Sequence, residues 1–256
     1  VKMYMLALAL IFLGGCVTSY DSGNASVDKQ KALEANIKLG MAYLQKKQRD
    51  HAVRSFSKAL EYDPKSAEAN HGMALVHQLN GEYDQAEKRY AKALKGRAAF
   101  SKSAIEFSYG RFLMEQGNCT GAAPYFDRVS KDFSYSNRAN ALFNIGRCAA
   151  KEGNENKAVK SYEHALNLDA RFSPASLEMA DIMFRRGDYA TSKRYMDQFA
   201  KSARHSARSL WLGIRLERIF GNKDKEASYV LALKNLHPYS QEYLNYKKMF
   251  ESGSAQ

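Results

Sequence analysis

Small and aromatic residues return along this chain at intervals of about 34 positions. Leu39-Gly40, Tyr43, Ala52, Phe56, Ala59 and Pro64 mark the first copy. Ala74, Ala86, Tyr90 and Ala93 stand 34 residues after Gly40, Ala52, Phe56 and Ala59. After a slip of two residues the pattern returns as Gly110, Leu113, Ala122, Phe126 and Val129, and again as Gly146, Ala149, Ala158, Tyr162 and Ala165. A weaker fifth copy carries Ala180, Met183, Ser192, Met196 and Phe199. A sixth begins at Leu212-Gly213 and Leu216 and loses register around Ala227 and Leu231. Turn-forming residues punctuate the copies at Asn80-Gly81, Gln116-Gly117-Asn118, Glu152-Gly153-Asn154 and Arg186-Gly187-Asp188. Apolar residues at helical spacing on either side of each turn predict two helices per copy, and no alternating strand pattern is sustained.

A helix–turn–helix unit of this period resembles the tetratricopeptide repeat. The resemblance implies an all-α, right-handed superhelix of about six repeats, near residues 33–66, 67–100, 103–136, 139–172, 173–205 and 206–240. In such a unit Gly40 or Gly146 lets the second helix approach the first, and Ala52 or Ala158 faces it for the same reason. Phe56, Tyr90, Phe126 and Tyr162 then fill the space toward the next repeat. Each repeat touches only its neighbours, and the stack presents a groove suited to peptide segments. First-helix residues around the small position are the candidates to line it: Ile37, Met41 and Leu44; His71, Leu75 and Gln78; Phe107, Arg111 and Met114; Phe143, Arg147 and Lys151. Leu177, Asp181 and Phe184 extend the series. An apolar groove with basic points suits a partner with apolar anchors and acidic residues. The competing reading makes about half of the apolar members inter-repeat core, and Arg111, Arg147 and Lys151 a solvated face.

The amino-terminal segment changes the picture. Lys2, the apolar run from Met3 through Leu13, and Leu13-Gly14-Gly15-Cys16 resemble a bacterial lipoprotein signal peptide. The run is too short to span a bilayer, which needs about 20 apolar residues. The resemblance implies a signal peptide over 1–15 and lipidation at Cys16. A flexible linker over 16–30 is expected, with the repeats over 31–250 and a flexible tail over 251–256. Val17 after the cysteine, in place of the Asp associated with inner-membrane retention, implies the periplasmic face of the outer membrane.

Charge and candidate chemistry narrow the class. Lys and Arg number 39 against 27 Asp and Glu, a formal net charge of +12. In an exported lipoprotein that excess favours anionic lipid or an acidic protein over nucleic acid. Beyond Cys16, Cys119 and Cys148 remain, in the turn of the third repeat and the first helix of the fourth. They are read either as a disulfide stapling these repeats or as two separate buried thiols, with the bridge favoured. The six histidines form no metal constellation, and no Cys-x-x-Cys, His-Glu-x-x-His, phosphate loop or nucleophile elbow occurs. Neither an enzyme nor a cofactor or metal site is expected.

Two stretches narrow the family. They are Leu177-Glu178-Met179-Ala180-Asp181-Ile182 with Arg186-Gly187-Asp188-Tyr189, and Ser206-Ala207-Arg208-Ser209-Leu210-Trp211-Leu212-Gly213-Ile214-Arg215-Leu216-Glu217. With Cys16-Val17-Thr18 and the intervening repeats, they resemble the PilF/PilW family of type IV pilus lipoproteins. The resemblance implies a pilotin that binds pilus secretin subunits and promotes their outer-membrane localisation and assembly. It also implies the lipoprotein sorting machinery as a partner. The alternative is a repeat lipoprotein that recruits peptidoglycan hydrolases. Trp211 stands where an aliphatic residue is expected and is read as packing the end of the stack.

Overall fold

A computed structural model describes residues 22–99 and 102–251. Among them are thirteen helices: α1 (Ser22–Gln45), α2 (Arg49–Tyr62), α3 (Ala67–Leu79), α4 (Tyr83–Lys95), α5 (Ser103–Glu115), α6 (Cys119–Lys131), α7 (Arg138–Lys151), α8 (Glu155–Leu168), α9 (Ser173–Arg185), α10 (Tyr189–Ala200), α11 (Ala207–Ile219), α12 (Lys223–Leu236) and α13 (Gln241–Glu251). The first twelve form six successive antiparallel pairs, and the chain divides into two compact units, residues 1–97 and 98–256. The expected signal peptide over 1–15, Cys16 and the tail beyond residue 251 lie outside the described residues. One expectation is corrected: residues 22–30, read as linker, belong to α1. Residues 27–31 of α1 are exposed, and Leu33 is the first buried side chain among those described. Polar residues with good helix propensity, such as Lys29, Gln30 and Lys31, read alike as linker and as a solvated helix end.

In the first unit the ring of Phe56 is fully buried. A β-carbon on Gly40 would come within 2.5 Å of it, and one on Gly72 would collide with the same ring from α3. Both glycines are therefore there so that α1 and α3 can close on α2. The chain leaving α4 turns back onto the loop before α3. Arg97 N donates to the Lys65 carbonyl (2.8 Å), and Ala67 N donates to the Arg97 carbonyl (2.9 Å). Arg97 also pairs with Asp63 at 2.7 Å.

The second unit repeats the same contact. A β-carbon on Gly110 would stand 2.9 Å from the buried Phe126 ring, one on Gly146 would collide with Tyr162, and one on Gly213 would stand 2.8 Å from Tyr229. In α9 and α10 the pair is Ala180 with Met196, both inside one apolar cluster. In each case the two residues are 16 apart, so the sixth pair keeps register where the sequence reading lost it. The small residue that falls 12 after Gly40, Gly110 or Gly146 (Ala52, Ala122, Ala158) is Lys225 in the sixth copy. That cation hid the repeat. Asn118, Asn154, Asp188, Ser206 and Asn222 cap the following helices through their side-chain oxygens. Gly117, Gly153, Gly187 and Gly221 hold the turns at φ between +69° and +82°, a region that disfavours a side chain. α13 packs Tyr243 and Tyr246 against Leu210, Ile214 and Leu233.

Candidate partner-binding surface

The first-unit candidates are mostly structural. Ile37 packs on Leu33, Ala59 and Ala69, while Met41 and Leu44 pack on the cluster of Phe56 and Met73. Gln78 accepts a hydrogen bond from the Tyr90 hydroxyl at 2.8 Å. His71 lies with its ring centre 6.0 Å from that of Tyr90, and its Nε2 is buried without a hydrogen-bond partner. Burial pushes its pKa down to about 4, so it is neutral near pH 7. Leu75 is half-buried on the same helix.

In the second unit Phe107 is core, edge-on to Phe126 with ring centres 6.0 Å apart. Phe143 packs against Tyr162 and Phe172 with centres 5.6 and 5.5 Å away. The remaining candidates converge. Arg111, Met114, Arg147 and Lys151 line one cavity of about 420 Å³ together with Glu115, Cys119 and Cys148. Cys119 and Cys148 are joined by a disulfide, with Cα atoms 5.4 Å apart. It forms where the start of α6 meets the last turn of α7, so the two sulfurs sit in the wall of a cavity whose rim is basic. Arg111 pairs with Glu115 at 3.2 Å, and the Arg147 guanidinium lies 5.9 Å from the Phe143 ring centre. Three cations against one carboxylate leave the cavity positive. Glu115 was not singled out from sequence; its place four residues after Arg111 was the available signal.

Sequence reasoning also missed a buried ionic cluster in the last pairs. Glu217 is 3% exposed and bonded by Lys193 (2.5 Å) and Lys225 (3.0 Å), and Lys225 reaches Asp197 at 3.1 Å. Burial alone raises the Glu217 carboxyl, but the two lysine hydrogen bonds outweigh it and hold it below its ordinary 4.5. Among the described residues no group of His, Cys, Asp and Glu is arranged to hold a metal ion, and no helix is long and apolar enough to cross a membrane.

Paired helices joined by tight turns, each pair closed by a ring or thioether on a small residue, define a tetratricopeptide-repeat protein. The tetratricopeptide repeat family matches residues 43–99 and 110–175. The type IV pilus assembly protein PilF of Pseudomonas aeruginosa is 36% identical over 250 residues, covering 96% of this chain and 98% of that protein. A solved structure of Pseudomonas aeruginosa PilF superposes with a TM-score of 0.81 at 34% identity, over 87% of this chain and 99% of that one. PilW, described as a widely conserved type IV pilus biogenesis factor, superposes with a TM-score of 0.70 at 26% identity, over 84% of this chain and 97% of that one. The chain belongs to the PilF/PilW family. It is a repeat protein of type IV pilus biogenesis and not an enzyme.

Proposed function

We propose that this protein is a lipid-anchored pilotin, which binds subunits of the pilus secretin, carries them to the outer membrane and promotes their assembly into multimers. The observation that carries the reading is the end-to-end similarity to PilF, 36% identity across 96% of the chain. The Leu13-Gly14-Gly15-Cys16 motif supports the anchor and, with Val17, an outer-membrane address. Each buried acyl CH₂ contributes about 0.8 kcal/mol, so several chains on Cys16 hold the protein at the membrane without a spanning helix. A secretin segment gripped by the repeats travels with the anchor. Tethering then raises the local concentration of bound subunits, which favours oligomerisation.

The test is a deletion strain complemented with the wild type or with Cys16→Ala. Secretin monomer and heat-resistant multimer are followed in separated inner and outer membranes. The expected result is multimer lost or displaced to the inner membrane in the deletion, and a soluble periplasmic protein with misplaced secretin in Cys16→Ala. Normal multimers in the deletion strain would overturn the pilotin role. Unchanged outer-membrane fractionation of Cys16→Ala would overturn the lipid anchor.

A further inference from the structure

Arg215 on α11 holds an unbalanced charge. Its guanidinium carbon lies 4.4 Å from the ring centre of Phe184 on α9 and 5.2 Å from that of Trp211, one turn back on its own helix. The two rings fix the cation in place, since a guanidinium is held over an aromatic face by the ring quadrupole. Its Nε is buried without a hydrogen-bond partner, while the side chain as a whole stays partly open to solvent.

The carboxylates close by are already engaged. Glu178 takes two hydrogen bonds from Arg208, at 2.6 and 2.9 Å. Asp181 accepts from Arg208 at 3.2 Å and faces Arg185 at 3.7 Å. Arg185 and Arg186 in turn share Glu155. These three carboxylates serve four arginines, of which Arg215 is left with the longer-range attraction of Asp181. Burial accordingly pulls its pKa below the ordinary value, and Asp181 only partly offsets this. The buried Nε lies out of a partner's reach, so the part of the side chain that stays open is what a partner meets, and a cation without a close carboxylate gains when one is supplied.

We propose that Arg215, clamped between Phe184 and Trp211, is a receptor for a carboxylate carried by an acidic peptide segment of a protein partner. The guanidinium offers a planar fork that matches a carboxylate in two parallel hydrogen bonds, and its orientation is set before binding, so little freedom is lost on docking. The flanking rings supply apolar surface beside the charge. Arginine and tryptophan together are the residue types that dominate binding hot spots. Phe184 stands at the first-helix position of the fifth repeat that corresponds to Met114 in the third, so the receptor lies on the helix face to which the basic cavity belongs. Assigning the segment to the secretin rests on the pilotin reading; carboxylate recognition does not.

Trp211 is the chain's single tryptophan and reports on this site alone. The experiment titrates the full chain at low salt with terminally blocked hexaglutamate, and with blocked hexalysine, while Trp211 emission is followed. Wild type, Arg215→Met and Arg215→Lys are compared, and circular dichroism melts establish that each is folded. The expected result is a saturable emission change with hexaglutamate and none with hexalysine. Kd should rise about tenfold in Arg215→Met, the worth of a charged hydrogen bond. No emission change in the wild type at millimolar hexaglutamate, or an unchanged Kd in Arg215→Met, would overturn the proposal. If Arg215→Met does not fold, Arg215→Lys carries the test, since it keeps the charge but loses the fork; a wild-type Kd there would also overturn it. Titration with the periplasmic region of the secretin separates the two readings. A response to hexaglutamate without one to secretin upholds the carboxylate receptor and removes the secretin as its occupant.

Discussion

Between the third and fourth helix pairs the join includes a covalent bond, whereas between the fifth and sixth an apolar cluster is reinforced by ion pairs. α6 and α7 are tied by Cys119 and Cys148, and inside each of these two pairs a ring, Phe126 or Tyr162, lies buried on Gly110 or Gly146. Further along, Met196 replaces the ring, and Lys193, Glu217, Lys225 and Asp197 link α10, α11 and α12. Arg208 on α11 likewise reaches Glu178 and Asp181 on α9. One fold thus uses two chemistries for one task. The first answers to redox conditions and steric change, the second to pH and charge.

The largest effect should come from opening the disulfide. Cys119 and Cys148 are 29 residues apart, and a closed loop of that length stabilises by about 3–4 kcal/mol on the chain-entropy model. Cys119→Ser should lower the denaturation midpoint accordingly, and reductant should do the same to the wild type. A midpoint indifferent to reductant would break the comparison at its covalent side.

Next comes Glu217. Glu217→Ala removes the buried carboxylate that Lys193 and Lys225 share, while Lys225 keeps Asp197, and the loss of these charged hydrogen bonds should cost about 2–3 kcal/mol. Because the folded carboxyl titrates below its ordinary 4.5, its contribution is complete above about pH 4.5 and is lost as pH falls through the lower folded value. Chemical denaturation at a series of pH values should therefore show wild-type stability falling on acidification, and a shallower fall in Glu217→Gln. Parallel profiles would show that the cluster is not what makes the last pairs pH-sensitive.

Gly146→Ala should cost about 2 kcal/mol, since its new methyl must displace the enclosed Tyr162 ring. The fifth pair already carries alanine at this place, opposite the flexible Met196. A double variant with Tyr162→Met should recover part of the loss, as measured by thermal melts. The smallest effect belongs to the exposed pair of Arg128 and Glu106, 2.8 Å apart. Arg128→Ala should change stability by no more than about 0.5 kcal/mol, and a larger loss would show that surface charge also matters in the aromatic half.

The repeat was legible because the contact inside a helix pair depends on residues 16 apart, and that spacing survives in sequence as Gly40 with Phe56 or Gly146 with Tyr162. It blurred in the sixth copy only because Lys225 took an alanine's place to reach Glu217. α13 was invisible to a period of 34, since among the described residues it is a single helix that follows the last pair. The candidate surface was legible in half. Arg111, Met114, Arg147, Lys151 and the two cysteines do meet in one cavity. Ile37, Met41, Leu44, Phe107 and Phe143 instead pack against core residues. Whether a first-helix side chain faces solvent depends on how the next pair leans over it, which one repeat's pattern does not encode. Arg215 lay outside the register altogether, because its surroundings come from Phe184 in the preceding repeat.

α13 has a consequence for how such a chain can change its length. Its tyrosines cover the apolar cluster that α11 and α12 leave open, the surface on which another pair would have to stack. Growth by duplication is therefore blocked at this end and open between interior pairs, where each new copy finds a matching neighbour on both sides. A lengthened descendant would carry its extra helices in the middle and keep the same closing helix.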